Sequence, residues 1–218
     1  MNNWADPIGH LLNVFEGDSK HWWPLLEIFR VLPEEVYSRK LKLGDNRRNQ
    51  LIASLETASP RVYNFLRRVI FPYSNSNTAQ WLDANWLILC LSNLQCLTAC
   101  LSGSLDSRVV AVELVGIELV KCFGSWVALN PECFCLTAAH DADILTFAFM
   151  QLREGKCHWK MHTAATDCLC AVIEVLPNLE SNNNNTVTLQ NFQLQLLALI
   201  NSLEEAYHYS VAEEDIEK

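Results

Sequence analysis

Glycine and proline, the residues that most often mark turns, are scarce in this sequence. Each occurs 7 times among 218 residues, whereas half of the chain is apolar. An all-β chain of this length needs many turn residues between its short strands, so the composition argues against that class. It predicts a globular, helix-rich protein that is long enough for one or two domains with a hydrophobic core.

Basic charge is also in short supply. The chain carries 16 Lys and Arg against 25 Asp and Glu, which gives a net charge of −9. Such a chain should repel nucleic acid and anionic membranes, and it could attract a basic partner. Acidity that only keeps the chain soluble would give the same balance. Aromatic residues near Arg39, Lys40 and Lys42 could stack on RNA, but the net charge opposes this, and we predict no direct nucleic-acid partner.

Motifs that indicate catalysis are missing. Gly44, Gly103 and Gly116 are isolated, so the sequence has no glycine-rich phosphate loop. The segment FGSW at 123–126 does not have the paired glycines of a nucleophile elbow. His140, Asp141 and Asp143 could form an acid/base cluster, but aspartates that complement a helix dipole explain them without further assumption, and this interpretation is preferred. We therefore predict that the protein is not an enzyme, with no catalytic residue and no cofactor.

The nine cysteines do not form the pattern of a disulfide framework. Their number is odd, and the opening MNNWADPIGH lacks the basic and apolar parts of a secretory signal. These features indicate a reducing compartment, cytosol or nucleus. Six cysteines lie in apolar runs and are expected to be small buried hydrophobes: Cys90, Cys96, Cys100, Cys122, Cys168 and Cys170.

Two C-x-C pairs raise the question of a metal site. Cys133/Cys135 and Cys168/Cys170 could bind zinc together with the segment 157–162, which contains one more cysteine and two histidines. Paired zinc ligands usually have two to four residues between them, and C-x-C on a helix points its thiols about 200° apart. We predict no metal site.

The segment WLILCLSNLQCLTACL, residues 86–101, is the longest apolar run. It contains four polar residues and is shorter than the roughly 20 residues that span a bilayer. A buried helix is the preferred interpretation over a membrane segment.

Apolar residues recur at helical spacing almost throughout the chain. They predict helices of about 12–20 residues that begin near positions 5, 20, 45, 60, 107, 140, 160 and 187. Ser59 before Pro60 predicts a helix start, whereas Pro33 and Pro177 predict an end or a kink. The β-branched residues of Val109–Val120 leave a strand as the alternative there. The predicted core stripes are Leu25, Ile28, Phe29 and Leu32; Val62, Phe65, Leu66 and Val69; Val112, Val115, Leu119 and Cys122; Ile144, Phe147, Ala148 and Gln151; Met161, Ala164, Ala165, Cys168 and Val172; and Leu189, Phe192, Leu196, Ile200 and Leu203.

Many of the predicted helices, taken in pairs, repeat with a period of about 40 residues. This period is typical of HEAT or armadillo solenoids, in which antiparallel helix pairs stack because none can bury its apolar face alone. The fold class is therefore predicted as all-α, and a closed helix bundle remains the alternative architecture.

The stretch LPEEVYSRKLKLGDNRRNQ, residues 32–50, is unusual for its charges, which change sign twice. Glu35 and Arg39 are four residues apart and could pair on a helix. Arg47 and Arg48, at a helix start, could reach the carboxylates of a partner. The plainer interpretation is a solvated link between two helices.

This stretch resembles a signature segment of the transportin-three and importin-thirteen branch of the importin-β nuclear transport receptors. The family typically has a similar L-P-E-E-V-x-S-R…N-R-R segment. Three further segments are similar to the same branch in the same order: CFGSWVALN (122–130), TAATDCLCAVIEVLPN (163–178) and LEEAYHYSVAEEDIEK (203–218).

The resemblance implies a HEAT-repeat import receptor that shuttles between cytoplasm and nucleus. Its partners would be Ran GTPase, nuclear pore proteins and protein cargo, including Arg/Ser-rich splicing factors, and Ran in its GTP form would release the cargo. Arg47 and Arg48 match the N-R-R of the family and become the candidate contacts with Ran or cargo, the alternative being that they bridge adjacent repeats.

Domain organisation follows from the same comparison. The chain resembles an internal piece of the amino-terminal half of such receptors, and helix pairs are expected at 1–73 and 107–218 in one continuous solenoid. Residues 74–106 have no counterpart and are interpreted as an insertion, either an extra helix or translated intron sequence. The rival functions are a HEAT scaffold that carries no cargo, a truncated fragment without activity of its own, and an enzyme built on a helix bundle.

Overall fold

A computed structural model of the chain describes residues 6–17, 21–38, 42, 44–74, 105–136, 143–153, 159–182 and 186–216. These residues are helical in nearly every part and contain no β-strand. We number the α-helices α1 to α7 and name the single π-helical turn π1. They are α1 (Pro7–Phe15), α2 (Trp22–Tyr37), α3 (Asp45–Ser74), α4 (Leu105–Leu129), π1 (Glu132–Leu136), α5 (Asp143–Arg153), α6 (Trp159–Asn182) and α7 (Thr186–Ile216).

Most of the predicted helix starts are confirmed to within about three residues, and helix α4 replaces the strand alternative at Val109–Val120. The capping of α1 explains where it begins: Asp6 accepts the Gly9 N–H at 2.7 Å, and Pro7 occupies the first helical position.

The segment 86–101 lies outside the described residues. No helix in the described ranges is both long and apolar enough to cross a membrane.

The prolines predicted to start or end helices lie inside them instead. Helix α3 passes through Pro60 as one 30-residue helix, and α2 and α6 continue through Pro33 and Pro177. Ser59 is not a cap: it is buried, and its hydroxyl donates to the Leu55 carbonyl at 3.2 Å. Because the buried stripe of α3 continues across residue 60, tertiary packing outweighs the local cost of proline, about 3 kcal/mol.

The helices form two parallel rows. The even row is α2, α4 and α6, and the odd row is α1, α3, α5 and α7, with each helix packing mainly on its neighbours in the two rows. Side-chain contacts show that α2 and α4 run in the same direction. Arg30 of α2 contacts Glu118 of α4, and Glu34, further along α2, contacts Ser125, further along α4. The molecule is therefore an all-α, HEAT-type solenoid of antiparallel helix pairs, not a closed bundle.

Contacts between α1 and α3 show the same parallel order in the odd row. Arg61 donates to Asp6 at 3.1 Å, to the Gly9 carbonyl at 3.2 Å and to Asn13 at 2.8 Å. Seven residues further along α3, Arg68 forms an ion pair with Glu16 at 2.8 Å. Arg61 therefore joins three groups along α1 and fixes the stacking of the first two odd helices.

Small residues let α4 and α6 approach closely. A Cβ on Gly124 would lie 3.3 Å from the Cα of Cys168, and one on Gly116 would lie 2.7 Å from the Cε of Met161. The even-row helices contact one another far more extensively than the odd-row helices do.

One continuous core lies between the rows, and most of the predicted stripes belong to it. Ring contacts dominate its centre, where Phe134 of π1 stacks on Trp126 and meets Tyr63 and Phe123 edge-on. Two stripe predictions are wrong: Ile28 is 41% exposed and Ile200 is 38% exposed. Both lie toward the flanks of helices whose opposite faces are buried. The side chain of Val112 lies outside the described set.

Candidate binding surface

Helix α4 reaches the surface along one narrow strip in the even row. Residues 115–120 and 122–124 are buried, whereas Leu114, Lys121, Ser125 and Ala128 are at least partly accessible. Together with Glu118 they follow spacings of four and three residues, which place them on one face of the helix. This strip, flanked by the outer sides of α2 and α6, forms what we call the even-row face.

Ion pairs connect α2 to α4 across this face. Glu118 accepts from Arg30 Nε at 2.8 Å and from Lys121 Nζ at 3.1 Å. Arg30 also approaches Glu34, four residues on, at 3.4 Å, and Ser125 Oγ donates to Glu34 at 3.0 Å. The Glu118 side chain is 11% exposed, so its charge requires these partners.

A buried hydrogen bond supports the ion pairs from below. The indole Nε1 of Trp126 donates to the main-chain carbonyl of Phe29 at 2.8 Å, and both residues have no exposed surface. The bond joins the interior of α4 to the middle of α2. The angle between these two helices, and hence the position of Arg30 and Glu34, depends on it.

Helix α6 contributes the other flank, which is mixed apolar and acidic. Trp159 at its start is 66% exposed with Lys160 Nζ 5.7 Å from its ring centroid, and Ile173 is 48% exposed. Asp167 and Glu174 lie on the same outer side of the helix. This flank therefore presents an exposed tryptophan, a residue type that is enriched where proteins bind partners.

The thiols of the buried cysteines are unreactive because their pKa values are raised. Burial raises the pKa of Cys135 to about 12, and burial, with Cys135 and Asp167 adding to it, raises the pKa of Cys168 to about 12. Burial and then Glu118 raise the pKa of Cys122 well above its usual value. These thiols act as hydrophobes because the thiolate is the reactive form. The prediction of buried cysteines is confirmed for Cys122 and Cys168. The prediction was wrong for Cys170, which is exposed. Cys90, Cys96 and Cys100 lie outside the described residues.

The two sequence-predicted contacts, Arg47 and Arg48, lie in the first turn of α3. Their main-chain N–H groups both donate to the Gly44 carbonyl at 3.0 Å, which starts the helix. The Arg47 side chain is exposed and that of Arg48 is half-buried. Their role as partner contacts stays a prediction. Arg39 and Lys40 lie outside the described residues, so the Glu35–Arg39 pairing also stays a prediction.

Neither the C-x-C pairs nor their neighbours form a metal site in the described ranges, where no group of three His, Cys, Asp or Glu is close enough to hold an ion. Residues 140–142, 157 and 158 are outside those ranges.

Sequence reasoning missed the contacts made by Arg30 and Glu118. A signal was available, because Glu118 interrupts a long apolar run in which an unpaired carboxylate would be costly. The identity of its partner could not be read from the sequence, since Arg30 lies 88 residues away.

A family model described as exportin 1-like protein matches residues 1–169 of the 218. The match extends from before α1 to the middle of α6 and therefore includes most of the even-row face.

Proposed function

The chain belongs to the exportin 1-like protein family of karyopherin nuclear transport receptors, and from this we propose that it binds Ran in its GTP form and protein cargo. Within that family we assign it to the transportin-three and importin-thirteen branch, on the four segments that resemble it. Its action would be binding without catalysis: Ran and cargo would favour different curvatures of the solenoid, and each would change the affinity for the other.

The observation that carries this proposal is the even-row face. Its charges belong to helices from successive repeats of the stack. A change in curvature would alter the distance between Arg30 and Glu118, which now meet at 2.8 Å. A ligand that binds several helices at once can therefore favour one curvature over another, and this difference is the physical basis of coupling.

Cargo of the Arg/Ser-rich class, nuclear pore proteins and shuttling between cytoplasm and nucleus belong to the same proposal. Their support is the branch resemblance together with the net charge of −9, which suits basic partners. Arg47 and Arg48 are proposed as contacts with Ran or cargo because they lie in the first turn of α3, where the Arg47 side chain is exposed.

A capture assay with immobilised chain tests the proposal. Ran loaded with a non-hydrolysable GTP analogue should be retained, and Ran loaded with GDP should not. Replacing Arg47 and Arg48 by Glu should weaken retention about tenfold or more, because it reverses two charges at the contact. The matched control compares Arg47→Glu alone with Arg153→Glu, because Arg153 is also exposed and lies on neither proposed surface. Equal retention of both Ran forms, or of neither, would support the non-transporting scaffold instead.

A further inference from the structure

Helix α7, the last helix of the odd row, carries apolar side chains on two opposite faces. One face is buried in the core through Leu189, Phe192 and Leu196. The other face presents Leu194 and Leu197, which are 64% and 53% exposed. A helix that is apolar on both sides is normally covered on both sides, and the described residues leave this second face of α7 uncovered.

The exposed side chains of this second face follow alternating spacings of three and four residues. We call them the α7 ridge, and all of them are exposed: Val187, Gln190, Leu194, Leu197, Asn201 and Glu204. Such spacing is typical of the seam along which two helices pack in a coiled coil. The ridge therefore has the geometry of a helix-binding surface.

The α7 ridge also matches itself when a second copy lies alongside it in the opposite direction. About a centre between residues 195 and 196, Leu194 of one copy lies opposite Leu197 of the other, and Gln190 lies opposite Asn201. The leucines pack on each other in this register, while the amides at the flanks can hydrogen-bond and fix it. A two-fold interface requires this self-complementarity, because each contact must occur twice.

Charge at the ends of the ridge favours the antiparallel direction. There Glu204 lies opposite Val187, in the first turn of the α7 helix of the other copy, where the helix dipole favours a carboxylate. In a parallel pair each residue would face its own counterpart, and Glu204 would face a second Glu204 across the seam. Like charges in that position repel, so the parallel arrangement is disfavoured.

The absence of charge along most of the ridge indicates a second copy as the occupant. Residues 181–203 contain no Lys, Arg, His, Asp or Glu, in a chain of net charge −9. Two copies repel each other over most of their acidic surface, and this strip is where they can meet without repulsion. A basic partner, by contrast, would find no carboxylate to pair with between residues 181 and 203.

We propose that two copies of the chain form a dimer by antiparallel packing of their α7 ridges. From residue 187 to residue 204 the ridge is about 26 Å long. One helix pair of that length buries less than the roughly 1,600 Å² of a standard interface, so the dimer should be weak and should depend on protein concentration. The inference goes beyond the proposed function and does not depend on the binding of Ran or cargo.

Sedimentation velocity of the full chain tests the dimer. Between about 1 and 200 μM, a range suited to a weak interface, the average mass should rise from one copy of 24.8 kDa toward two. The double variant Leu194→Glu, Leu197→Glu places four carboxylates at the centre of the interface and should weaken association about 100-fold or more. The control Val14→Glu, Ile173→Glu makes the same change at exposed residues of α1 and α6 and should alter the Kd less than about threefold.

A second pair of variants tests the direction of the helices. Gln190→Glu with Asn201→Lys brings opposite charges together in an antiparallel dimer and should preserve or tighten association. Gln190→Glu with Asn201→Glu brings like charges together and should weaken it about tenfold or more. Circular dichroism melts establish that each variant is folded.

Three results would overturn the proposal. The first is a chain that stays monomeric over the whole concentration range. The second is an equal loss of association in the control on α1 and α6. The third is an equal loss in the two Gln190 variants, which would exclude the antiparallel register.

Discussion

Replacing Trp126 by Phe should loosen the junction between α2 and α4. The substitution removes the indole N–H that donates to the Phe29 carbonyl at 2.8 Å and leaves that carbonyl buried. It also shortens the ring that stacks on Phe134 at 5.9 Å. The same substitution at Trp159, which is 66% exposed, is a matched control because it deletes the same atoms from the surface.

The magnitude follows from the two losses at Trp126. A buried carbonyl left without its donor costs about 1–3 kcal/mol, and the smaller ring leaves a cavity that adds about 1 kcal/mol. The free energy of unfolding should therefore fall by about 2–4 kcal/mol. For a chain of this length each kcal/mol lowers Tm by about 2–4 °C. Trp159→Phe should change stability by less than about 0.5 kcal/mol.

Urea and thermal unfolding followed by circular dichroism at 222 nm, on both variants and the unmodified chain, would measure these differences. Far-UV spectra at low temperature should coincide, since the substitution does not affect helix propensity strongly. If Trp126→Phe lowered Tm no more than Trp159→Phe, the hydrogen bond to Phe29 would not be what holds α2 on α4, and the reasoning would fail.

Glu118→Gln should reduce stability by about 1–3 kcal/mol in urea unfolding, because the Glu118 carboxylate, 11% exposed, is the shared counter-charge of Arg30 and Lys121. Glu34→Gln removes a half-exposed carboxylate and should cost less than about 0.5 kcal/mol, so equal losses in the two variants would contradict this reasoning. Gly124→Leu should cost about 1–3 kcal/mol, because even a Cβ there already lies 3.3 Å from α6, and a variant as stable as the parent would show that α4 and α6 separate freely. The raised pKa values of Cys135 and Cys168, about 12 against an ordinary 9.0, predict that stability is fully present below pH 9 and falls as pH rises from 9 toward 12, because the unfolded chain loses its thiol protons first. Unfolding midpoints measured from pH 8 to 10.5 should show this decline. Replacing both cysteines by Ala should make it shallower, and the pKa of Cys122, which burial also raises, accounts for the part that remains.

Much of the fold could be predicted from apolar spacing. The stripes in α3, α6 and most of α7 were correct because a residue with helical neighbours three and four positions away must face one side. The breaks at Pro60 and Pro177 were wrong for a related reason. The rule for proline considers one residue, whereas the continuation of the helix depends on the core that its whole length covers.

Much less of the candidate site could be predicted. Arg47 and Arg48 were chosen by resemblance and by exposure at a helix start, and their role stays a prediction. Glu118 could have been suspected, but its contacts with Arg30 required the stacking of α2 on α4.

The sequence by itself determined that this protein is helical, that its helices pair, and which side of most helices is apolar, because these depend on spacings of a few residues. Four short segments, which occur in the same order as in the family, also carried the family resemblance. Only the tertiary structure decided which charges are neutralised and which are left open. Electrostatic partners are chosen by distance in space, and residues such as Arg30 and Glu118 come within 2.8 Å only after two repeats have stacked.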